Sequence, residues 1–187
     1  AERVFIPAEM TFVRGGTPTI SEPLTRYPML AYAAQVLAVV TLGAARGALQ
    51  YAEKAGAAKT SITGGGGKGA RPTYQIGFAR AEASLRSARA FFYEITDEVW
   101  DLAVRDEEIT ERHRTLLRLG ATTAAHVGRR VIMDAFDLAG TGAIYVKHPM
   151  QRFLQDGIVP AQHAMLATAT YEAAGAVLLG MPAGIPS

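Results

Sequence analysis

The sequence predicts an all-α fold: an antiparallel four-helix bundle preceded by a short N-terminal strand stub and an arm. Three observations predict it. Three long stretches and a fourth, shorter one each carry a single apolar stripe at alternating three- and four-residue steps, loop-forming residues separate them, and no repeat of solenoid length occurs. Such helices bury their stripes against one another. The expected organisation is a strand stub and linker arm over 1–27, left from a β domain upstream, and a helical bundle over 28–187.

Val4-Phe5-Ile6-Pro7 is a short apolar run closed by proline and reads as the last strand of a sheet whose other strands lie outside the chain. From Glu9 to Tyr27, Gly15-Gly16, Thr17-Pro18 and Glu22-Pro23 interrupt any period, so an irregular arm is expected. Helical periodicity begins near Pro28, with a stripe of Leu30, Ala34, Leu37, Thr41, Ala44, Ala48, Tyr51 and Ala55. Gly43 and Gly47 fall on another face, where small side chains admit a second helix. The stretch is apolar around its circumference, as a helix covered on several sides should be.

Lys59 to Arg71 holds Gly64-Gly65-Gly66-Gly67-Lys68-Gly69, which invites a phosphate-loop reading. That reading fails, because the spacing is wrong and Lys68 is followed by glycine where a magnesium-holding hydroxyl is needed. An interhelix loop is expected instead. Pro72 opens the second long helix, whose seam is Phe78, Ala81, Leu85, Ala88, Phe92, Ile95, Val99 and Leu102, with Arg80, Arg86, Asp97 and Asp101 outside it. Thr110 is the candidate cap of the third helix, with a seam through Leu117, Ala121, Ala124, Gly128, Val131, Ala135 and Leu138. Gly140 ends that helix by taking a left-handed conformation. After a loop and a short basic and aromatic segment, a fourth helix starts near His163 and follows Leu166, Ala169, Ala173, Ala176 and Gly180 to Met181-Pro182.

Composition excludes several classes of function. With 49% hydrophobic residues over 187 positions, one domain with a sizeable core is expected. The net charge of +2 is dispersed, so no block of like charge can follow a phosphate backbone, and nucleic acid is not an expected partner. The absence of cysteine removes disulfides, thiolate zinc sites and thiol nucleophiles and suits a reducing, cytoplasmic compartment. Met29 to Ala45 is uncharged but shorter than the ~20 residues of a membrane span and includes Gln35 and Thr41, so a buried helix is the reading. The chain opens on Ala1-Glu2-Arg3, with no signal peptide and no initiator Met, and is expected to be a fragment of something longer.

Few residues can carry chemistry. A diiron bundle needs two inward glutamates each followed three residues later by histidine, and none occurs. His113, His126, His148 and His163 are not paired at metal-ligand spacing, so no metal is expected, and no serine sits in a nucleophile elbow. What remains lies between Asp137 and His163. Gly140-Thr141-Gly142 can bring backbone amides to a cofactor phosphate or simply cap a helix. His163 can exchange a proton near neutral pH or serve as a cap. Arg152 can grip an anion or pair with Asp156 one turn on.

The order of these segments resembles the C-terminal part of the acyl-CoA dehydrogenase superfamily. Val4-Phe5-Ile6-Pro7 looks like the last strand of that family's middle barrel, and Gly43-Ala44-Ala45-Arg46-Gly47-Ala48-Leu49 like its first C-terminal helix. Leu138-Ala139-Gly140-Thr141-Gly142-Ala143 resembles its flavin-facing glycine turn, and Pro149 to Asp156 its arginine-aspartate segment. The resemblance spans nearly the whole chain. It implies a flavin site, FAD or FMN, built with upstream domains, in a dimer or tetramer where the glycine turn reaches a flavin held largely by a neighbouring subunit. Gly140, Thr141 and Gly142 would then face the cofactor, with Arg152 and Asp156 supporting the adjacent segment.

One departure from the dehydrogenase pattern directs the functional expectation. Dehydrogenases of the family place a glutamate base shortly after the arginine-aspartate pair, whereas no carboxylate stands between Asp156 and Glu172; His163 stands near that place. This is more similar to the flavin-dependent hydroxylase branch, which uses reduced flavin and oxygen on aromatic or polycyclic substrates. The resemblance therefore implies a monooxygenase supplied by a flavin reductase, with His163 as acid or base beside the flavin. Gln155 stands where the family commonly has arginine. An acyl-CoA dehydrogenase with its base on another helix, Glu172 or Asp137, is the second reading. A non-catalytic helical oligomerisation module is the third, and the isolated chain is expected to show little activity.

Overall fold

A computed structural model describes residues 3–13, 16–58 and 67–184. Among them are six α-helices: α1 (Pro23–Arg26), α2 (Met29–Ala57), α3 (Pro72–Val104), α4 (Glu111–Ala139), α5 (Pro149–Ile158) and α6 (Ala169–Leu178), with short 3₁₀ turns between. The glycine run over 59–66 lies outside the described residues.

Helices α3, α4 and α5 begin at residues suited to a helix start. Pro72 and Pro149 occupy first-turn positions, where a missing N–H costs nothing. Thr110 caps α4 by accepting from His113 N–H, while His113 Nδ1 accepts from Thr110 N–H. Pro28 itself sits at the N-cap of α2, one residue before the helix.

Side-chain contacts fix the directions. Gln35 Nε2 donates to Thr96 Oγ1, and Arg46 pairs with Glu82, so α3 runs antiparallel to α2. A Cβ on Gly120 would touch Ile95, and one on Gly77 would touch Leu138, so α4 runs antiparallel to α3. Tyr51 meets His148, Gly47 meets Phe153, and Thr41 Oγ1 donates to Gly157 O, so α5 returns antiparallel to α2. The result is an up-down-up-down bundle whose short fourth member is α5. The core runs through Ala34, Ala38, Leu42, Leu49, Leu85, Phe92, Ala121, Ile132, Ala135, Met150 and Leu166.

Three expectations are corrected. The segment 145–158 contains α5, so the fourth bundle helix precedes His163 rather than starting there; the later stripe is broken, with Leu166 in a 3₁₀ turn and only Thr170 and Ala174 buried on α6. No strand forms at Val4-Phe5-Ile6-Pro7, where Val4, Phe5 and Ile6 are exposed, because a single strand has no ladder to join. The arm carries the single-turn helix α1 and a 3₁₀ turn at Ala8–Met10. On α2 the buried row includes Ala31, Ala34, Ala38, Thr41, Ala45, Ala48, Leu49 and Ala52, so Ala34, Thr41 and Ala48 of the expected stripe are buried, while the rest of the row is shifted from it and Leu30 is outward. By length and composition α2 is able to cross a membrane, but this alanine-rich row packs inside the bundle.

Candidate functional site

The antiparallel order gathers four helix ends: the C-termini of α2 and α4 and the N-termini of α3 and α5. Gly140 stops α4 with φ +78° and ψ −168°, a combination open essentially to glycine alone. Thr141 and Gly142 follow in an exposed 3₁₀ turn, and a Cβ at Gly142 would meet nothing within 4 Å. The backbone of the turn is therefore open to a ligand. Two bonds hold it in place: Gln151 Nε2 donates to Ala143 O at 2.6 Å, and Lys68 Nζ donates to Ala139 O at 2.6 Å.

Beside this turn lies a cavity of about 560 Å³, lined by Lys68, Arg71, Arg80, Arg130, Asp134, Asp137 and Gly140 among others. Four cations face two carboxylates there, one of which, Asp134, is held by Arg130 at 3.1 Å. Tyr74 forms part of the wall; its hydroxyl donates to Ala52 O, and burial raises its pKa. The excess positive charge and the glycine backbone fit the phosphates of a flavin nucleotide. Lys68 and Arg71 were not singled out as binding residues in the sequence. The available signal was two cations ahead of Pro72, at the bundle end where antiparallel topology also brings Gly140.

Arg152 and Asp156 form an exposed ion pair at 3.3 Å on the outer face of α5, and Arg152 is 87% exposed. Such a pair adds at most ~1 kcal/mol. Neither residue lines the basic cavity.

His163 lies elsewhere. It is exposed and caps the 3₁₀ turn Ala164–Leu166, its Nδ1 accepting from Met165 N–H at 3.2 Å. That turn is moored to the middle of α4, where His126 Nε2 meets Leu166 O at 2.8 Å. His126 precedes Gly140 by fourteen residues, about 21 Å along the helix at 1.5 Å per residue. The glycine turn and the imidazole thus sit at different levels of the bundle and do not share one cavity within a chain. Among the described residues no cluster of three potential metal ligands occurs.

This architecture has known relatives. Residues 35–168 match the family model described as acyl-CoA dehydrogenase, C-terminal domain. An indole-3-acetate monooxygenase of Pseudomonas putida is 42% identical over 179 residues, 96% of this chain and 46% of the relative. One of Acinetobacter baumannii is 41% identical over 180 residues, again 96% and 46%. The chain thus spans about half the length of the curated relatives it matches. Among solved structures, XiaF from Streptomyces sp., in complex with FADH2 and glycerol, superposes with a TM-score of 0.82 at 22% identity, over 97% of this chain and 47% of that one. The 3-HSA hydroxylase from Rhodococcus sp. RHA1 gives 0.78 at 20% identity, over 89% and 42%. Because that family model matches residues 35–168, well over half of the chain, the chain belongs to the acyl-CoA dehydrogenase C-terminal domain family.

Proposed function

We propose that the chain is the helical half of a flavin-dependent monooxygenase that hydroxylates an aromatic or polycyclic substrate. The observation that carries this reading is the basic cavity beside Gly140, taken with two relatives above 40% identity that are both named indole-3-acetate monooxygenases. An aromatic carboxylic acid of the indole-3-acetate type is the first substrate to try.

Bound reduced flavin, FAD or FMN, supplies the electrons for oxygen chemistry. The chain's own residues do the rest. Lys68 and Arg71 neutralise cofactor phosphate, Gly140, Thr141 and Gly142 let the backbone approach it, and His163 presents an imidazole to the reacting centre. The ~21 Å along α4 between His126, which moors the turn that His163 caps, and Gly140 supports a homo-oligomer, a dimer or tetramer, in which one chain serves two flavins: its imidazole in one site and its glycine turn in a neighbour's. The outward row Tyr32, Val36 and Val40 on α2, together with Val4, Phe5 and Ile6, is apolar surface suited to the upstream half of the protein. Arg152 and Asp156 then steady α5. The site is cytoplasmic in this reading and depends on a separate flavin reductase.

The test uses intact protein with reduced flavin, labelled oxygen gas and indole-3-acetate. One labelled oxygen atom should enter the product, and Lys68→Gln with Arg71→Gln should weaken flavin binding by about 10²-fold, at 1–2 kcal/mol for each lost charge-assisted bond. Flavin reduction by an acyl thioester, with no oxygen incorporation, would reverse the assignment in favour of a dehydrogenase. Unchanged flavin affinity in the double variant would remove the cavity from the account. An assembly module would keep all of its activity or binding with His163→Ala.

A further inference from the structure

Three histidines of this chain use one device. His113, His148 and His163 each stand at or just inside the start of a helix or turn, and in each the Nδ1 accepts a backbone N–H: from Thr110 at 3.2 Å, Met150 at 3.3 Å and Met165 at 3.2 Å. A neutral imidazole whose Nδ1 accepts must carry its proton on Nε2. In His148 the consequence is visible, because its Nε2 lies 2.9 Å from the Tyr51 hydroxyl, the oxygen that takes that proton's bond. In His163 the Nε2–H belongs to an exposed ring.

We propose that the Met165 amide locks His163 in the Nε2–H tautomer, so that it meets its ligand as a hydrogen-bond donor rather than a base, and that His126 is the positioning residue for this lock. The lock needs a fixed backbone, and the turn has only one side-chain tether from the long helices among the bonds above. His126, half-buried on α4, spans to Leu166 O at 2.8 Å, and its ring packs edge-on to Tyr171 of α6. A carbonyl oxygen only accepts, so the His126 Nε2 donates. Losing that bond frees the turn, and the Met165 N–H no longer points steadily at His163. The donor role fits a developing negative charge on a phenolic or oxygen-derived atom, which a fixed N–H stabilises without proton transfer. This inference rests on the proposed monooxygenase reading only for the identity of the ligand; the tautomer is a property of the fold.

The experiment is nitrogen-15 imidazole NMR on the intact protein without flavin, with His163 assigned from the signal lost in His163→Asn. The His163 ring should show a protonated Nε2 and a bare Nδ1. A proton on Nδ1, or the averaged pattern of a free imidazole, would overturn the lock. His126→Ala should bring the averaged pattern and lower kcat by about tenfold, whereas His126→Gln, whose amide can still donate to Leu166 O, should retain the locked pattern and most of kcat. Equal spectra in wild type and His126→Ala would remove His126 from the mechanism. In turnover, His163→Ala should cost about 10²-fold. His163→Asn, which keeps an acceptor for Met165 and a donor beyond it, should recover part of that loss, as a base could not. A locked spectrum with undiminished turnover in His163→Ala would leave the tautomer standing and defeat the catalytic reading instead.

Discussion

Gly140 is the residue on which the candidate cofactor end depends. At φ +78° and ψ −168° any side chain strains the backbone, and the Cβ of an alanine would also lie 3.3 Å from Lys68 Nζ, the atom that satisfies Ala139 O. Gly140→Ala should therefore cost about 1–3 kcal/mol of stability, read as a lowered urea midpoint at unchanged slope, and should loosen flavin binding in the same protein. Gly142→Ala is the control: its Cβ meets open space, so stability should move by less than about 0.5 kcal/mol. The glycine at the end of α4 was legible as a cap because the apolar seam stops at Leu138. Lys68 was not, since nothing local says that a loop lysine reaches a carbonyl 71 residues later. His163 was legible as a residue of interest through its place in the family pattern. Its cap, a bond to Met165 two residues on, was one of the readings the sequence offered, whereas its tether to α4 and its distance from Gly140 arise from packing.

Helices α2 and α4 approach closely where Gly128 faces Thr41: a Cβ there would sit 2.7 Å from Thr41 Cγ2 and 3.3 Å from the Thr41 carbonyl oxygen. Thr41 in turn donates to Gly157 O, so one close approach sets the seating of α5. Gly128→Ala should force α2 outward at a cost of about 1–3 kcal/mol, measurable by thermal unfolding, with faster hydrogen exchange in α5 than in α3. The helix propensity gained by alanine, up to ~1 kcal/mol, offsets only part of this. The same geometry explains the shifted stripe on α2. From Met29 to Ala45 that helix has no charged residue, so period alone does not choose a face; packing chose the alanine row because small side chains let α4 come near, leaving Val36, Val39 and Val40 outward. For α3 the choice was already in the sequence, since charged residues occupy its outer face and Ala81, Leu85, Ala88, Phe92, Ile95 and Val99 are buried as their spacing requires. Helix α5 was missed because its ten residues give too few turns for a clear period, although Pro149 after a capping His148 marked its start.

Across the whole bundle, acid sensitivity has an identifiable centre. Glu82 on α3 receives Arg46 of α2 at 2.7 and 3.1 Å and Arg86 at 2.6 Å, and these bonds, Arg46 foremost, hold its carboxyl below the usual range. A carboxylate with a depressed folded pKa contributes stability above its unfolded value, near 4.3, and loses it as pH falls through the folded one. Stability should therefore drop between about pH 5 and the folded pKa of Glu82, and Glu82→Gln should flatten that limb while costing about 1 kcal/mol or less at pH 7, as monitored by helical circular dichroism. By itself the sequence determined the class of fold, the three long helices and the glycine stop at Gly140, because apolar period, charge placement and special backbone residues are local properties of the chain. Tertiary structure alone decided which face of α2 is core, that α5 completes the bundle, that Lys68 and Arg71 join Gly140, and that His163 stands a long way from all three. Those facts depend on which surfaces pack together and on the direction each helix runs, and no stretch of residues carries that information until the helices meet.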